Sequence, residues 1–302
     1  MNSACRVKRP NFFIVGAAKC GTTSLYAYLR QHPDVFMPRW KELSFFCDDP
    51  TPPLHKVKRP AFYKAVFAPA AYQTAIGEAS TSYLYDPTAA AKIREKLGRV
   101  RIIIMLRDPV QMAYSLYNHQ FRKEGEHLSS FTQALAVEAK RMADENFRRH
   151  CYGWHANYYY FHRGLYTGQV KRYLELFGRE NVLIHLFDDL IENPLDVVRR
   201  TYRFLGVDES FEPDLAIHNK GGRLFDVPRF YSDYGLFLKT ASFLFSKNLF
   251  RKLALIARKR GVRPAPPMAE NVRRDLAERF HKDVGRLERL IDRDLSAWRD
   301  AG

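Results

Sequence analysis

Residues 16–24 (GAAKCGTTS) are small or polar and contain one lysine, Lys19. They follow an apolar run, residues 11–15, and lead into residues 22–30, whose apolar side chains recur at helical spacing. A turn from a strand into a helix gathers backbone N–H groups and the positive end of the helix dipole at one point. The segment therefore predicts a phosphate-binding loop. The alternative is an ordinary strand-to-helix turn without a ligand.

The spacing of this segment differs from that of the nucleotide triphosphatase loop, G-x-x-x-x-G-K-[ST]. The sequence has the two glycines, Gly16 and Gly21, but Thr22 stands where the lysine belongs. The lysine lies earlier, at position 19, from where it can reach the bridging oxygen of a 5′ mixed anhydride. The triphosphatase loop is therefore a structural relative and not a match.

The segment resembles the 5′-phosphosulfate loop of sulfotransferases that use 3′-phosphoadenosine 5′-phosphosulfate (PAPS), especially the branch with heparan sulfate and other carbohydrate sulfotransferases. The residues that carry this resemblance, and that it implies bind the donor, are Lys19, Cys20, Gly21, Thr22, Thr23 and Ser24. The resemblance extends over about residues 11–223. Each motif alone is of limited specificity, but five of them occur in the family's order.

A second block begins with Arg107, which precedes Asp108 and Pro109, and continues through Ser115 to His119. It resembles the family's 3′-phosphate segment, which implies that Arg107 and Ser115 bind the donor's 3′-phosphate. A planar guanidinium can grip phosphate in a bidentate manner. The alternative is an Asp-Pro helix start beside a surface arginine. His119 is a second candidate base or an acceptor contact, and otherwise a structural histidine.

Two further blocks concern the group that reacts. Residues 38–46 (PRWKELSFF) resemble the family's Lys-Glu-then-aromatic pattern, which implies that Lys41 stabilises charge on the transferring sulfuryl group. Residues 77–83 (GEASTSY) resemble its strand-end glutamate segment, which implies that Glu78 is the general base. An exposed Lys-Glu pair and a capping or salt-bridged glutamate are the alternatives.

The last block, residues 218–223 (HNKGGR), resembles a late loop that covers the 3′-phosphate and adenosine. The donor contacts that it implies are Lys220, Gly221, Gly222 and Arg223. The sequence has one glycine more than the family's Lys-Gly-Arg spacing. It also lacks the cysteine pair that flanks this loop in many secreted carbohydrate members, which favours a cytosolic relative.

Strand-like and helical patterns alternate along the chain, which predicts βαβ units and a doubly wound parallel sheet flanked by helices, as in P-loop NTPases. The predicted strands are residues 11–15, 75–76 (leading into Gly77 and Glu78), 100–106 and 181–187. The predicted helices are residues 22–30, 87–97, 110–121, 131–149, 166–177 and 194–205. We expect one sulfotransferase domain over residues 1–230. A basic helical C-terminal extension, residues 231–302, is expected to pack on the same domain.

The composition limits the partners and the compartment. A formal net charge of +16 favours polyanions such as nucleotides and acidic glycans. No run reaches the roughly 18–20 apolar residues of a membrane span, although residues 234–245 could form an amphipathic helix on an anionic membrane instead of packing on the domain. The cysteines are far apart, which predicts reduced thiols and a cytoplasmic location; they are Cys5, Cys20, Cys47 and Cys151.

Together these features predict in-line transfer of a sulfuryl group from PAPS to a hydroxyl or amine of a carbohydrate or glycolipid, with 3′,5′-ADP (PAP) as product and no metal required. An ATP-dependent small-molecule kinase is one alternative. It needs a lysine at position 22 and a metal-holding carboxylate, for which Asp108 is the candidate. A non-enzymatic polyanion-binding protein is the other, supported by net charge and the basic residues 247–263, but no specific nucleic-acid partner is expected.

Overall fold

The computed structural model describes residues 8–48, 59–123, 125–215 and 268–299. Within these ranges five strands form one parallel sheet in the spatial order β2-β3-β1-β4-β5. The strands are β1 (Phe12–Gly16), β2 (Val35–Phe36), β3 (Ala75–Ala79), β4 (Arg101–Leu106) and β5 (Val182–Leu186). The parallel α/β fold that the sequence predicts is confirmed.

The central strands are buried on both faces because their sequences are almost wholly apolar. Every residue of β1 (FFIVG) and all but the first of β4 (RIIIML) are buried. In the register Ile14 lies opposite Ala79 on one side and Ile103 on the other. A sheet of this kind requires helices on both faces.

Twelve α-helices are described. They are α1 (Thr22–Leu29), α2 (Pro60–Val66), α3 (Ser82–Tyr85), α4 (Ala89–Leu97), α5 (Pro109–Arg122), α6 (Phe131–Ala136), α7 (Glu138–Ala143), α8 (Glu145–His150), α9 (Tyr166–Phe177), α10 (Phe187–Glu192), α11 (Pro194–Leu205) and α12 (Glu270–Ile291). Helices α1 and α11 pack on each other, α1 also on β1 and α11 also on β5. Helix α9 packs against β4, β5, α4 and α12.

The strand order creates a crevice at the carboxyl edge of the sheet. The chain leaves β1 towards β2 and β3 on one side, whereas it leaves β4 towards β5 on the other. Ligands in open α/β sheets bind where the direction reverses in this way. Here that point lies between the turn after β1 and the turn after β4.

Helix α12 completes the core from a distant part of the sequence. Its large buried side chains recur every three or four positions and are Leu276, Phe280, Val284, Leu287 and Ile291. The Phe280 ring lies 4.6 Å from that of Phe161, and Thr167 Oγ1 donates to the Asp283 carbonyl at 2.9 Å. The domain division at residue 230 stays a prediction, since residues 216–267 lie outside the described ranges.

Several elements differ from the predicted ones. Residues 131–149, predicted as one helix, lie in three short helices. The break between α7 and α8 falls at Asp144, which leaves the helical conformation and accepts a hydrogen bond from Phe147 N as the cap of α8. The sequence patterns did not predict β2, α2 or α10. A two-residue strand carries no periodicity, and α10 begins directly at the end of β5.

Candidate active site

The turn between β1 and α1 places two residues in the left-handed region, Lys19 with φ of 64° and Gly21 with φ of 83°. A Cβ on Gly21 would lie 2.8 Å from Leu190 Cδ2 and 2.9 Å from Phe187 Cδ2. Glycine is therefore required there by conformation and by space. The close packing of α10 against this turn fixes the loop at the carboxyl edge of the sheet.

The hydroxyl residues of the predicted loop lie in the first turn of α1. Thr22 and Ser24 are buried, whereas Thr23 is exposed. No side chain caps α1 in the described part of the chain, so its first N–H groups keep the anion-binding character of a helix N-terminus.

Cys20 turns into the core. Its Sγ lies 3.3 Å from the Ala18 carbonyl oxygen and 3.8 Å from Tyr166 Oη. Burial raises the pKa of this thiol to about 12, so it stays protonated at neutral pH. Cys20, one of the residues predicted to bind the donor, can therefore contact it through its backbone but not through its side chain.

The structure brings the predicted residues Lys19 and Arg107 together. Arg107 Nη1 donates to the Lys19 carbonyl oxygen at 3.5 Å, and the Arg107 guanidinium lies 4.6 Å from the centre of the Phe187 ring. Burial, with the charges of Arg122, Lys123 and Arg107, lowers the pKa of Lys19 to about 8. No carboxylate within the described ranges forms an ion pair with Lys19. A cluster of cations of this kind suits a multiply charged anion.

Ser115 and His119 lie four residues apart on α5 and therefore share one face of that helix. Burial and the charges of Lys19, Lys123 and Arg122 lower the pKa of His119 to about 2. The imidazole is therefore neutral at physiological pH. It lies close to the lysine of the loop and can exchange hydrogen bonds without adding charge.

Asp108, the carboxylate that a kinase would need for its metal, is the N-cap of α5. Its Oδ1 accepts a hydrogen bond from Val110 N at 2.9 Å. Burial raises the pKa of this carboxyl, against the opposing effect of its backbone hydrogen bonds. Asp108 thus has a structural role that requires no ligand.

Glu78, the predicted base, is 1% exposed at the end of β3. Its Oε2 accepts from Tyr63 Oη at 2.5 Å, and its Oε1 accepts from Tyr83 Oη at 2.6 Å and Ser80 Oγ at 2.8 Å. Burial raises the pKa of this carboxyl to about 7, although the three hydroxyl donors oppose the shift.

Lys41 forms an ion pair with its neighbour Glu42, whose side chain is 40% exposed. Glu42 Oε2 also accepts from Thr81 N at 2.8 Å and from Thr81 Oγ1 at 3.1 Å. The Glu42 N–H donates to the Ala79 carbonyl at 2.8 Å, which fixes this loop beside the end of β3. Glu42 is a reachable carboxylate that the sequence prediction missed, although the Lys-Glu motif contained it.

A second residue that was not predicted is Arg163, which is 4% exposed. Its guanidinium donates to Asn157 Oδ1 at 2.9 Å and to the Thr81 carbonyl at 3.4 Å, and it lies 4.9 Å from the Trp154 ring centre. Burial lowers the pKa of Arg163, while the charge of Glu42 favours its cationic form. No local motif signals this residue, because only the folded chain brings it beneath Thr81.

Four predicted donor contacts lie outside the described residues: Lys220, Gly221, Gly222 and Arg223. Within the described ranges no disulfide bond joins the cysteines Cys20, Cys47 and Cys151. Among the helices of the described ranges, none is long and apolar enough to cross a membrane.

Comparison with known proteins gives consistent matches. The family model described as "Sulfotransferase domain" matches residues 9–219. A sulfotransferase structure from Alicyclobacillus acidocaldarius is 36% identical, with a TM-score of 0.75, over 97% of this chain and 100% of that one.

Two curated relatives are more distant. Bifunctional heparan sulfate N-deacetylase/N-sulfotransferase 4 of Mus musculus is 26% identical over 66% of this chain and 22% of its own length. Carbohydrate sulfotransferase 15 of Rattus norvegicus is 27% identical over 70% of this chain and 46% of its own. The chain thus spans less than half the length of these two relatives. Because the family model covers more than two thirds of the chain, this protein belongs to the sulfotransferase family.

Proposed function

We propose that the chain transfers a sulfuryl group from PAPS to a hydroxyl or amine of a carbohydrate or glycolipid acceptor. The observation that carries this proposal is the meeting of Lys19 and Arg107 at the carboxyl ends of neighbouring parallel strands. Family membership supports PAPS as donor. The names of the curated relatives, a heparan sulfate N-sulfotransferase and a carbohydrate sulfotransferase, support a carbohydrate acceptor.

The described residues fit the two charged ends of such a donor. Thr22, Thr23 and the backbone of the loop would hold the 5′-phosphosulfate, with Lys19 beside its bridging oxygen. Arg107 and Ser115 would hold the 3′-phosphate. The contacts of residues 220–223 stay a prediction.

The donor supplies a sulfuryl group on a phosphate that leaves readily. The acceptor oxygen or nitrogen forms a bond to sulfur, the bond from sulfur to the phosphate oxygen breaks, and PAP leaves with that electron pair. With a pKa of about 8, Lys19 is mostly protonated at pH 7 and stabilises the charge that grows on the leaving oxygen. Lys41 would stabilise charge on the sulfuryl oxygens. The acceptor proton passes to a carboxylate of the chain.

Two carboxylates are candidates for that base. The sequence predicts Glu78, whose carboxylate is enclosed by three hydroxyl groups. Glu42 has the more open side chain, and a general base must come within hydrogen-bond reach of the proton that it takes. We therefore favour Glu42 as the base and Glu78 as a residue that positions Tyr63 and Ser80, with Glu78 as the alternative base.

Nucleotide binding and sulfate transfer test the function together. We expect PAP to raise the melting temperature of the full chain more than ATP with Mg²⁺ does. We also expect transfer of labelled sulfate from PAPS to acidic polysaccharides. Lys19→Met and Arg107→Met should each weaken PAP binding, whereas Lys92→Met, remote from the turn after β1, should not. Stabilisation by ATP with Mg²⁺ alone would contradict the proposal and support a kinase.

A further inference from the structure

Trp40 and Phe62 form a stacked pair of aromatic rings on the surface. Their centroids lie 6.0 Å apart with planes 13° from parallel, and the two residues are 46% and 48% exposed. Single exposed apolar side chains are common and need no explanation. The apolar surface that these two stacked, half-exposed rings present to solvent is here called the platform.

The platform is attached to the loop and helix that carry the candidate reactive groups. Trp40 directly precedes Lys41 and Glu42, and Phe62 directly precedes Tyr63 on α2. Tyr63 donates its hydroxyl to Glu78 and stacks on Phe45, with ring centroids 4.1 Å apart and planes 13° from parallel. A molecule lying on the platform therefore rests on the loop that carries Glu42 and on the helix whose Tyr63 donates to Glu78.

We propose that Trp40 and Phe62 bind a sugar ring of the acceptor and thereby present one of its hydroxyl or amine groups to Lys41 and Glu42. This inference rests on the proposed function. One face of a pyranose is lined by C–H groups, which pack on aromatic rings, whereas its rim carries hydroxyls that stay in water. Flat, half-exposed rings suit this amphipathic shape, whereas a wholly apolar acceptor calls for an enclosing pocket.

Charge next to the platform favours an acidic sugar. Arg39 precedes Trp40 in the chain, and Arg59 occupies the N-cap position of the helix that carries Phe62; both arginines are exposed. Carboxylates of a uronic acid could pair with these guanidinium groups. The chemical class that this site would take is therefore an oligosaccharide with acidic residues, bound along an open surface.

Tryptophan fluorescence provides a binding measurement that does not depend on turnover. The chain has three tryptophans, and Trp40 is 46% exposed whereas Trp154 and Trp298 are 6% and 5% exposed. Quenching by acrylamide should therefore report mainly on Trp40. We expect an unsulfated oligosaccharide of glucuronic acid and N-acetylglucosamine to reduce this quenching in the presence of PAP. A neutral cello-oligosaccharide should protect less.

Kinetics with variants provide the second measurement. Trp40→Ala and Phe62→Ala should each raise the KM for the acidic oligosaccharide by about two- to tenfold, as expected for the loss of one aromatic contact. The KM for PAPS should stay unchanged, and Trp40→Phe should restore most of the loss. Tyr72→Ala, which removes a 69% exposed aromatic residue elsewhere, is the matched control and should leave both KM values unchanged.

The outcomes separate this inference from the function on which it rests. Transfer from PAPS with unprotected Trp40 and an unchanged acceptor KM in both alanine variants would overturn the platform and leave the transferase standing. Protection of Trp40 by the oligosaccharide without any transfer or PAP binding would support the platform as a glycan site and overturn the proposed reaction. Equal protection by the neutral glycan would overturn the preference for acidic sugars.

Discussion

Glu42 and Glu78 are the two candidate bases, and they differ in how accessible their carboxylates are to a ligand. The Glu42 side chain is 40% exposed, whereas Glu78 is enclosed and accepts three hydroxyl hydrogen bonds. The contact between Thr81 and Arg163 links Glu42 to the buried part of the site. At the scale of single residues, the accessibility of the carboxylate to the acceptor therefore distinguishes a base from a positioning residue.

Replacement of each carboxylate by its amide should separate these roles. We expect Glu42→Gln to lower kcat by about 10²–10⁴-fold, as for the loss of a general base, with PAP binding retained. Glu78→Gln keeps one oxygen that can accept from Tyr83 and Ser80, and its amide NH2 can donate to the Tyr63 hydroxyl, so we expect a fall of less than about tenfold. Steady-state rates of sulfate transfer and PAP titrations measure both effects. The reverse order of the two losses would make Glu78 the base.

Lys19 should make donor binding depend on pH. Its pKa of about 8 in the free protein means that the ammonium form dominates below pH 8 and is lost above it. Because the charged form binds the anionic nucleotide, the Kd of PAP should rise about twofold between pH 7 and 8 and by up to about tenfold between pH 7 and 9.

Titration calorimetry with PAP at these pH values tests this dependence. Lys19→Arg, which does not titrate in this range, is the matched control and should show a flat profile. An equal rise in Kd for the wild type and for Lys19→Arg would assign the dependence to another group.

At the scale of elements, the site depends on how α10 packs on the turn after β1. The apolar runs and glycine positions predicted β1, β4 and the turn well, since buried parallel strands have a distinctive composition. They did not predict α10, which presses Phe187 and Leu190 against Gly21 and holds Arg107 under the Phe187 ring. Contacts of that kind arise from tertiary packing, which local sequence patterns do not encode.

Gly21→Ala should therefore disturb both stability and donor binding. The new methyl group meets Phe187 and Leu190 below 3 Å at a φ of 83°, so we expect a loss of about 2–4 kcal/mol in the free energy of unfolding. PAP binding should weaken as well, because the loop must shift. Urea denaturation and PAP titration measure the two effects.

Gly98→Ala is the control for the backbone conformation alone. Gly98 has a φ of 75°, but nothing lies within 4 Å of a Cβ there. We expect it to cost only about 1 kcal/mol and to leave PAP binding intact. Similar losses in the two variants would mean that the contact with α10 contributes little to the loop.

At the scale of the whole molecule, a late helix supports a site built from much earlier residues. Phe280 of α12 packs on Phe161, and a Cβ on Gly164 would lie 2.6 Å from the Phe280 ring. Arg163 lies between these two positions and reaches Thr81, which holds Glu42. The sequence predicted a basic helical extension but gave no sign that it supports the active-site loop, because periodicity identifies a buried face without identifying what it packs against.

Phe280→Ala should reveal this support. Loss of a fully buried phenylalanine should lower the free energy of unfolding by about 3–5 kcal/mol. If the cavity lets residues 162–164 move, we expect a larger effect on the acceptor side than on the donor side, since Arg163 donates a hydrogen bond to the Thr81 carbonyl, whereas it acts on Cys20 of the donor loop through its charge. We therefore expect kcat for sulfate transfer, measured well below the melting temperature, to fall while the Kd of PAP changes less than about twofold.

Lys282→Ala, at an exposed position of the same helix, should change stability by less than about 0.5 kcal/mol and leave kcat unaltered. Parallel losses of transfer and PAP binding in Phe280→Ala would show general loosening of the core instead of support for the acceptor side.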